Sequence, residues 1–370
     1  MSLRRYRDQP VTTPVTLLKY AVLGLALLSA AYAQPAAPES APDVLTLPKV
    51  LNRVDTRTGV ITAQNELRDA RVNLGRIERD PLAVRADTLG AEQRFALAEA
   101  SLEQARYTAM NDLVSAYTGV LNASEQVELA GQGLELAERS LEIATIRLDN
   151  GSATPLDLDD AEASLDEAQN TLRAAREGQS LARNSLVSIV GEVGNAELKG
   201  VPAGFFVELP AQETVLASAE RHPDLLGAEQ QAELAALGAE VLDPLYAAQT
   251  QIDTAESQAA AAASAFAEAR RGFLLQVRNL YSQAENARAT LRLEVAALAN
   301  ARERLATQGQ RLEGGLVSQI DFAQTELQTA QARLEAEGAR TTYLNALLAL
   351  QAGSLIPLGG PFATLPGDAP

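Results

Sequence analysis

The stretch RLDNGSATPLD at residues 147–157 recurs as RLEGGLVSQID at residues 311–321. The offset between the two copies is constant, since 311 − 147, 315 − 151 and 321 − 157 each equal 164. In both copies a long run of regularly spaced apolar residues ends near a glycine, and a second run begins just after it. This pattern predicts two antiparallel helices joined by a tight turn. The chain is therefore predicted to be a tandem duplication of a long helical hairpin.

The apolar spacing before the first turn predicts a coiled coil. From Ala98 to Leu148 the steps between apolar residues alternate between three and four, with one extra step of four after Ala109. Sustained alternation of this kind is typical of a coiled-coil seam. The helix predicted over about 84–149 would be about 100 Å long at 1.5 Å per residue. The two shorter helices of the same copy have about the same total length, so we expect them to stack end to end beside the long one.

Changes in composition and in apolar spacing along the sequence divide the chain into six segments. Basic residues precede an apolar run at 21–31, and the small residues Ala31 and Ala33 form a cleavage site, as in a secretory signal peptide. An uncleaved membrane anchor is the alternative, although the run is shorter than the ~20 residues that a span needs. The predicted segments are a signal peptide at 1–33, a disordered linker at 34–43, hairpin repeat 1 at 44–191, an inter-repeat linker at 192–211, hairpin repeat 2 at 212–355 and a disordered tail at 356–370.

Composition excludes several classes of function. The net charge of −17 argues against nucleic acid as a partner, because its phosphates attract basic proteins. The chain has no cysteine, so it forms no disulfide and no thiolate metal site. His222 is its only histidine, which rules out a multi-histidine metal site within one chain, and we interpret it as a helix-turn residue before Pro223. With no nucleophile–base pair or phosphate loop, we expect neither an enzyme nor a cofactor.

The duplicated plan resembles the TolC-like outer-membrane efflux channel family over about residues 45–355. At its hairpin tips that family has an arginine or similar residue, a glycine, a nearby serine or threonine, and an aspartate six residues after the glycine. The matching residues here are Arg147, Gly151, Thr154 and Asp157 in the first copy and Arg311, Gly315, Ser318 and Asp321 in the second. The resemblance implies a homotrimer whose helices form a hollow α-barrel in the periplasm. Its tips would meet a membrane fusion (adaptor) protein attached to an inner-membrane pump.

The sequence departs from that family at one place in each repeat. Family members insert a β-hairpin where Asp80-Pro81 and Asp243-Pro244 stand here. A membrane strand needs about ten alternating residues and interfacial aromatics, whereas Tyr246 is the only aromatic in residues 76–90 and 239–255. We therefore expect an all-α fold with little or no β-structure. The signal peptide predicts export, and the resemblance implies a protein of the periplasm that is associated with the outer membrane.

Acidic residues follow both predicted turns. In a closed trimer, Asp157, Asp160 and Asp321 would form carboxylate rings at the entrance, which attract cations and repel one another, as in a gate. Asp159 lies beside them. The alternative is helix capping alone, since acids in a first helical turn favour the helix dipole whatever the function. The second tip weakens the gate hypothesis, because family members often have a second acid where this chain has Gln324.

The resemblance also implies a docking surface for an adaptor at the tips. Arg147 and Arg311 are expected either to pair with Asp149, Glu313 or a neighbouring chain, or to remain solvated. The predicted docking residues are Gly151, Ser152, Thr154, Gly314, Gly315, Leu316, Val317 and Ser318.

Three functions follow from these observations. The first is a passive export duct of a tripartite efflux or secretion system. The second is a non-conducting coiled-coil spacer of the cell envelope derived from the same family, which the missing strands favour. An adaptor-like fusion protein is a third class, disfavoured because no β-rich half-domains flank the helices.

Overall fold

The computed structural model describes residues 44–191 and 196–362. The predicted signal peptide, the linker at 34–43 and the end of the tail lie outside these residues. The described part is almost wholly helical, which confirms the predicted fold class. Its α-helices are α1 (Leu47–Leu51), α2 (Thr58–Ile77), α3 (Arg85–Asp149), α4 (Pro155–Val190), α5 (Gln212–Ala219), α6 (Pro223–Glu240), α7 (Gln249–Glu313) and α8 (Gln319–Ser354), and its strands are β1 (Val44–Leu45) and β2 (Glu197–Leu198).

The internal repeat is visible in the helix lengths. Helices α3 and α7 each have 65 residues, and α4 and α8 each have 36. Their bounds keep the offset seen in the sequence, since 249 − 85, 313 − 149, 319 − 155 and 354 − 190 all equal 164. The helix that opens each repeat differs from prediction. A single helix is expected over about 50–79 and another over about 212–242, but the first is interrupted at residues 52–57 and the second at residues 220–222.

Helix α3 lies between two columns of helices. Along its length α3 packs on one side against α2 followed by α4, and on the other side against α6 followed by α8. Helix α7 lies on the far side of α6 and α8. Gln179 of α4 donates to the Ser124 hydroxyl of α3 at 3.0 Å, and Gln93 of α3 donates to Glu233 of α6 at 2.7 Å. The described chain is therefore a layer four helices wide, with α2 and α4 stacked at one edge and α7 at the other.

Both hairpin turns lie at the same end of this layer. Ser115 of α3 donates to Asn345 of α8, and Arg333 of α8 donates to Glu125 of α3. Between these two contacts the residue number rises along α3, from 115 to 125, and falls along α8, from 345 to 333. The two helices are therefore antiparallel. The C-terminal end of α3 therefore lies beside the N-terminal end of α8, which brings the α3–α4 turn next to the α7–α8 turn.

The buried core cluster surrounds the middle of α3, where the stacked helices meet. Tyr117 is fully buried there, and its hydroxyl donates to the carbonyl of Leu45 at 3.1 Å and to that of Lys199. These carbonyls follow or belong to the parallel pair β1–β2, so one side chain of α3 fixes both incoming segments. Burial raises the pKa of Tyr117 to about 12, so the hydroxyl remains a donor at neutral pH.

Arginines complete the junction between α4 and α2. Arg53 donates to the carbonyl of Val190 at 3.1 Å, and Arg57 donates to that of Ile189 at 2.9 Å. The last carbonyls of a helix lack intrahelical partners, and a cation there also favours the helix dipole. The start of one short helix thus caps the end of the other, as the predicted stacking requires.

The predicted disordered tail begins too early. Ile356, Leu358 and Phe362 are buried, and the Phe362 ring contacts Phe205 edge-on at 5.1 Å between ring centres. Leu355 ends α8 with φ +53, and its carbonyl accepts a hydrogen bond from the Ser218 hydroxyl at 2.9 Å. Residues 355–362 and residues 196–211 of the inter-repeat linker therefore contribute to the central core, and of the predicted tail only 363–370 lie outside the described residues.

His222 caps α6 from a buried position. Its Nδ1 accepts a hydrogen bond from the backbone N–H of Asp224 at 3.3 Å, and its ring lies 4.6 Å from the Phe273 ring. Its Nε2 is 3.1 Å from the side-chain amide of Gln104. Burial lowers the pKa of His222, and the Asp224 carboxylate opposes that shift. The predicted role of His222 as a helix-turn residue is confirmed. Its burial was not predicted.

No helix among the described residues combines the length and the apolar character that crossing a membrane requires. Strand structure in the same residues is limited to β1 and β2, and neither Asp-Pro step carries a strand.

Acidification should destabilise the fold through His222. The folded-state pKa lies below the unfolded value of 6.5, so the unfolded chain binds more protons and stability falls as pH drops through this range. His222→Asn keeps an acceptor for the Asp224 N–H but does not titrate. Between pH 7.5 and pH 5.5 the free energy of unfolding, measured by urea titration, should fall less for the variant than for the wild type, by up to about 1.4 kcal/mol. Because the chain has no other histidine, equal losses in both proteins would contradict this assignment.

Candidate functional site

The first hairpin tip is closed by backbone hydrogen bonds around Gly151. The N–H of Ser152 donates to the carbonyl of Arg147 at 2.8 Å, and the N–H of Gly151 donates to that of Leu148 at 2.9 Å. This pair of bonds is the Schellman motif, which needs a left-handed residue, and Gly151 has φ +70. A side chain at Gly151 would meet no atom within 4 Å, so the conformation itself requires glycine.

The second tip repeats this geometry. Leu316 N–H donates to the Arg311 carbonyl at 2.8 Å, and Gly315 N–H donates to the Leu312 carbonyl at 3.0 Å, with Gly315 at φ +68. Gly314 has φ −79 and occupies the place that Asn150 takes in the first tip. Of the two adjacent glycines, only Gly315 is therefore required by the turn.

Both aspartates six residues past these glycines complete capping boxes. The Thr154 N–H and hydroxyl donate to Asp157 Oδ2 at 2.7 and 2.8 Å, and the Asp157 N–H returns a bond to Thr154 Oγ1 at 3.3 Å. Ser318 and Asp321 form the same reciprocal set. The hydrogen bonds from Thr154 lower the pKa of Asp157, which keeps its carboxylate charged.

Asp157 and Asp321 can cap their helices and still contribute carboxylates to a ring at the entrance. One oxygen of each aspartate accepts the cap hydrogen bonds, and both side chains remain exposed at the tip. Asp159 and Asp160 are exposed on the following turn. The tip thus has a fixed cluster of negative charge, and its role in a ring between copies stays a prediction.

Arg147 and Arg311 contribute to the turns through their backbone. Both side chains are exposed, and within residues 44–191 and 196–362 neither guanidinium forms an ion pair. Their carbonyls accept the bonds that close the two tips. Pairing with Asp149 or Glu313 does not occur, whereas pairing with a neighbouring chain stays a prediction.

The tips also expose large apolar side chains. Leu316, which lies at the position of Ser152 in the repeat, is 77% exposed, and Leu156 of the first tip is 66% exposed. Leu316 was among the predicted docking residues, but Leu156 was not. The available signal was that Leu156 lies outside the apolar stripe of α4 that begins at Leu158 and Ala161.

Two grooves begin behind the tips. One, of ≈ 950 Å³, is lined by α3, α4 and α8 and by small residues such as Gly133, Ala137 and Ser164, with Asp160 at its wall. The other, of ≈ 480 Å³, is lined by α3, α7 and α8 and is strongly charged. Arg333 lies in it, 2.7 Å from Glu125 and 3.7 Å from Glu128, and so joins the two hairpins. Sequence analysis missed this pair, because it depends on which helix lies beside α3.

Across the described ranges, no group of three or more histidine or acidic side chains is arranged to hold a metal ion. The tip carboxylates are spread over two turns, and those of Asp157 and Asp321 accept capping bonds. The site is therefore an exposed surface with acidic and apolar residues.

Comparison with known proteins identifies the fold. Residues 82–192, which hold α3 and α4, match the outer membrane efflux protein family. The Campylobacter jejuni CmeC outer membrane channel aligns with a TM-score of 0.60 and 12% identity, over 87% of this chain and 87% of that one. The open state of the Neisseria gonorrhoeae MtrE outer membrane channel aligns with a TM-score of 0.58 and 17% identity, over 83% of this chain and 88% of that one. CusC, described as forming a transmembrane channel, aligns with a TM-score of 0.60 and 14% identity, over 83% of this chain and 95% of that one.

No curated protein sequence matches the chain. The resemblance drawn from the tip motifs is nevertheless confirmed by the family match over the first hairpin and by the fold of the solved channels. Residues 82–192 are thus similar to the outer membrane efflux protein family, and the described residues share the fold of the solved TolC-like channels.

Proposed function

We propose that the chain is the periplasmic duct of a tripartite efflux or secretion system, associated with the outer membrane. In this proposal three copies close into a tube that conducts passively, without catalysis. Its hairpin tips dock to a membrane fusion (adaptor) protein attached to an inner-membrane pump. The observation that carries the proposal is a layer of four helices with two open edges and with both tips at one end.

Apolar side chains line both open edges. Two residues that are two positions apart in a helix project in directions that differ by about 200°. On α7, Leu275 and Leu293 are 57% and 69% exposed, and each lies two residues from a member of the stripe that packs in the layer, Val277 and Leu291. They therefore face away from α6 and α8. At the opposite edge, Leu181 of α4 lies two residues beyond Gln179, which contacts α3, and is 69% exposed.

Lateral association would cover these edges and create a lumen. Three copies of a layer four helices wide give a ring of twelve helices. At about 10 Å between helix axes such a ring has a lumen of roughly 25–30 Å, which is wide enough for small molecules or extended chains. The number of copies comes from the resemblance to the TolC-like family, and the open edges are the support from this chain.

Docking and gating follow from the two tips in the proposed assembly. Leu316 and Leu156 offer apolar contacts to an adaptor, next to the predicted docking residues of both turns. The carboxylates of Asp157, Asp160 and Asp321 would form acidic rings at the entrance. Moving one hairpin against the other would separate Arg333 from Glu125, so that pair would hold the entrance closed until an adaptor binds.

The second candidate function is a non-conducting envelope spacer. It is favoured by one observation, the absence of a strand at either Asp-Pro turn within the described chain. The two functions differ in whether cargo passes through the tube.

A charge at an open edge should prevent assembly. Leu293→Asp places a carboxylate in the proposed contact between copies, where burial is unfavourable. Light scattering or native mass measurement should give a trimer for the wild type and mainly a monomer for the variant. Leu234→Asp is the matched control, because Leu234 is 40% exposed on α6, which has α3 on one side and α7 on the other. A monomeric wild type, or an L293D protein that is still trimeric, would contradict the proposed closure.

Tip residues should cross-link to an adaptor. The chain has no cysteine, so Ser152→Cys and Leu316→Cys each give a single attachment point in the native envelope. We expect cross-links from both tips to a hairpin of a membrane fusion protein, and none from Ser264→Cys, an exposed control on the other half of α7. The absence of any adaptor among the products would count against docking at the tips.

Export separates the duct from the spacer. Deleting the gene should raise the intracellular accumulation of the cargo of its pump, and the wild-type chain should restore export. Asp157→Asn with Asp321→Asn keeps an acceptor for each cap but removes the charges, so it should restore assembly while changing export of cationic cargo severalfold relative to neutral cargo. If the deletion alters envelope spacing and leaves the export of every cargo unchanged, the spacer is the correct function.

A further inference from the structure

The end of the layer opposite the hairpin tips exposes large apolar side chains. Residues 78–84 join α2 to α3, and residues 241–248 join α6 to α7. We call the exposed set the terminal apolar cluster. Its members are Leu82 (85% exposed), Val84 (60%), Val241 (64%), Leu245 (85%) and Tyr246 (89%).

The two turns that carry this cluster have the same construction. Asp80 Oδ1 accepts from the N–H of Leu82 at 3.0 Å, and Asp243 Oδ1 accepts from the N–H of Leu245 at 2.8 Å. These are Asx turns, in which the aspartate side chain fixes the backbone two residues on. Each leucine is therefore held at the outermost point of a defined turn.

The two turns lie side by side. Arg85, the first residue of α3, pairs with Glu240, the last residue of α6, at 3.0 Å. The exposed side chains of both turns thus belong to one surface. Exposed apolar residues scattered singly are normal, but a group of this kind at one end marks an interaction site.

We propose that the terminal apolar cluster inserts into the interfacial region of a lipid bilayer and holds the duct to the membrane by this end. The side chains project from narrow turns, so they offer no groove or flat face to a folded partner. Aliphatic residues with a tyrosine are the composition found at the boundary between headgroups and acyl chains. The flank of the first turn has no net charge, because Glu78 and Asp80 balance Arg76 and Arg79, and Arg85 pairs with Glu240. The apolar side chains therefore supply the proposed binding.

This inference adds to the proposed function the residues that hold the chain to the membrane. It uses the end of the molecule farthest from the tips, so the two proposals can fail separately. Docking is tested at Ser152 and Leu316, whereas membrane contact is tested at Leu82, Leu245 and Tyr246.

Tryptophan fluorescence tests the insertion directly. The chain contains no tryptophan, so Tyr246→Trp or Leu82→Trp in the exported, processed protein gives a single fluorophore. With phosphatidylcholine vesicles its emission should shift to the blue, and brominated acyl chains should quench it. Leu316→Trp, at the opposite end, is the control and should remain unchanged. Unchanged emission from Y246W and L82W would overturn the proposal. A blue shift that appears without vesicles when the protein concentration is raised would also overturn it, because a second copy would then cover the cluster.

Vesicle flotation tests whether the same residues supply the binding. The triple variant Leu82→Ser, Leu245→Ser, Tyr246→Ser should bind vesicles at least about tenfold more weakly than the wild type. The control is Leu156→Ser with Leu316→Ser, which removes exposed apolar residues at the tips and should bind as the wild type does. Equal binding by the triple variant would place the membrane contact elsewhere in the chain and overturn the proposal.

Discussion

The structure depends on the burial of α3 on two sides. Leu113, Val114, Tyr117 and Val120, in the middle of α3, are all fully buried. A helix of 65 residues packed on one side alone would give an isolated hairpin. Contact with α6 and α8 on the second side joins the two repeats into one layer, with their tips at a common end. The open edges, the charged groove and the terminal apolar cluster all follow from that arrangement.

The parts of the fold that the sequence predicts are those fixed by local physics. A left-handed residue at Gly151 and Gly315 ends a helix wherever the chain goes next, and Thr154 with Asp157 begins another. The 3–4 apolar spacing fixes which face of each helix is buried. These rules act within a few residues, so the repeat, the turns and the four long helices could be predicted from one sequence.

The parts that could not be predicted depend on contacts between distant segments. The hydroxyl of Tyr117 binds carbonyls at Leu45 and Lys199, and Phe362 contacts Phe205, although nothing in the spacing of these residues announces the pairing. The same holds for His222, whose burial depends on Phe273 and Gln104. Gly- and Pro-containing segments look disordered in sequence, but here their few large apolar residues fill the junctions between stacked helices. Of the candidate site, the turn residues were predictable, and the pairing of Arg333 with Glu125 was not.

The central claim is that the two hairpins lie antiparallel and adjacent, with both glycine turns at one end. Spin labels at Ser152→Cys and Leu316→Cys, diluted with unlabelled chain, measure this separation by pulsed electron resonance, and the absence of native cysteine makes the labelling specific. The account predicts a distance within the chain of two to three helix spacings, roughly 20–30 Å. A distance approaching the length of α3, about 100 Å, would place the turns at opposite ends and contradict it.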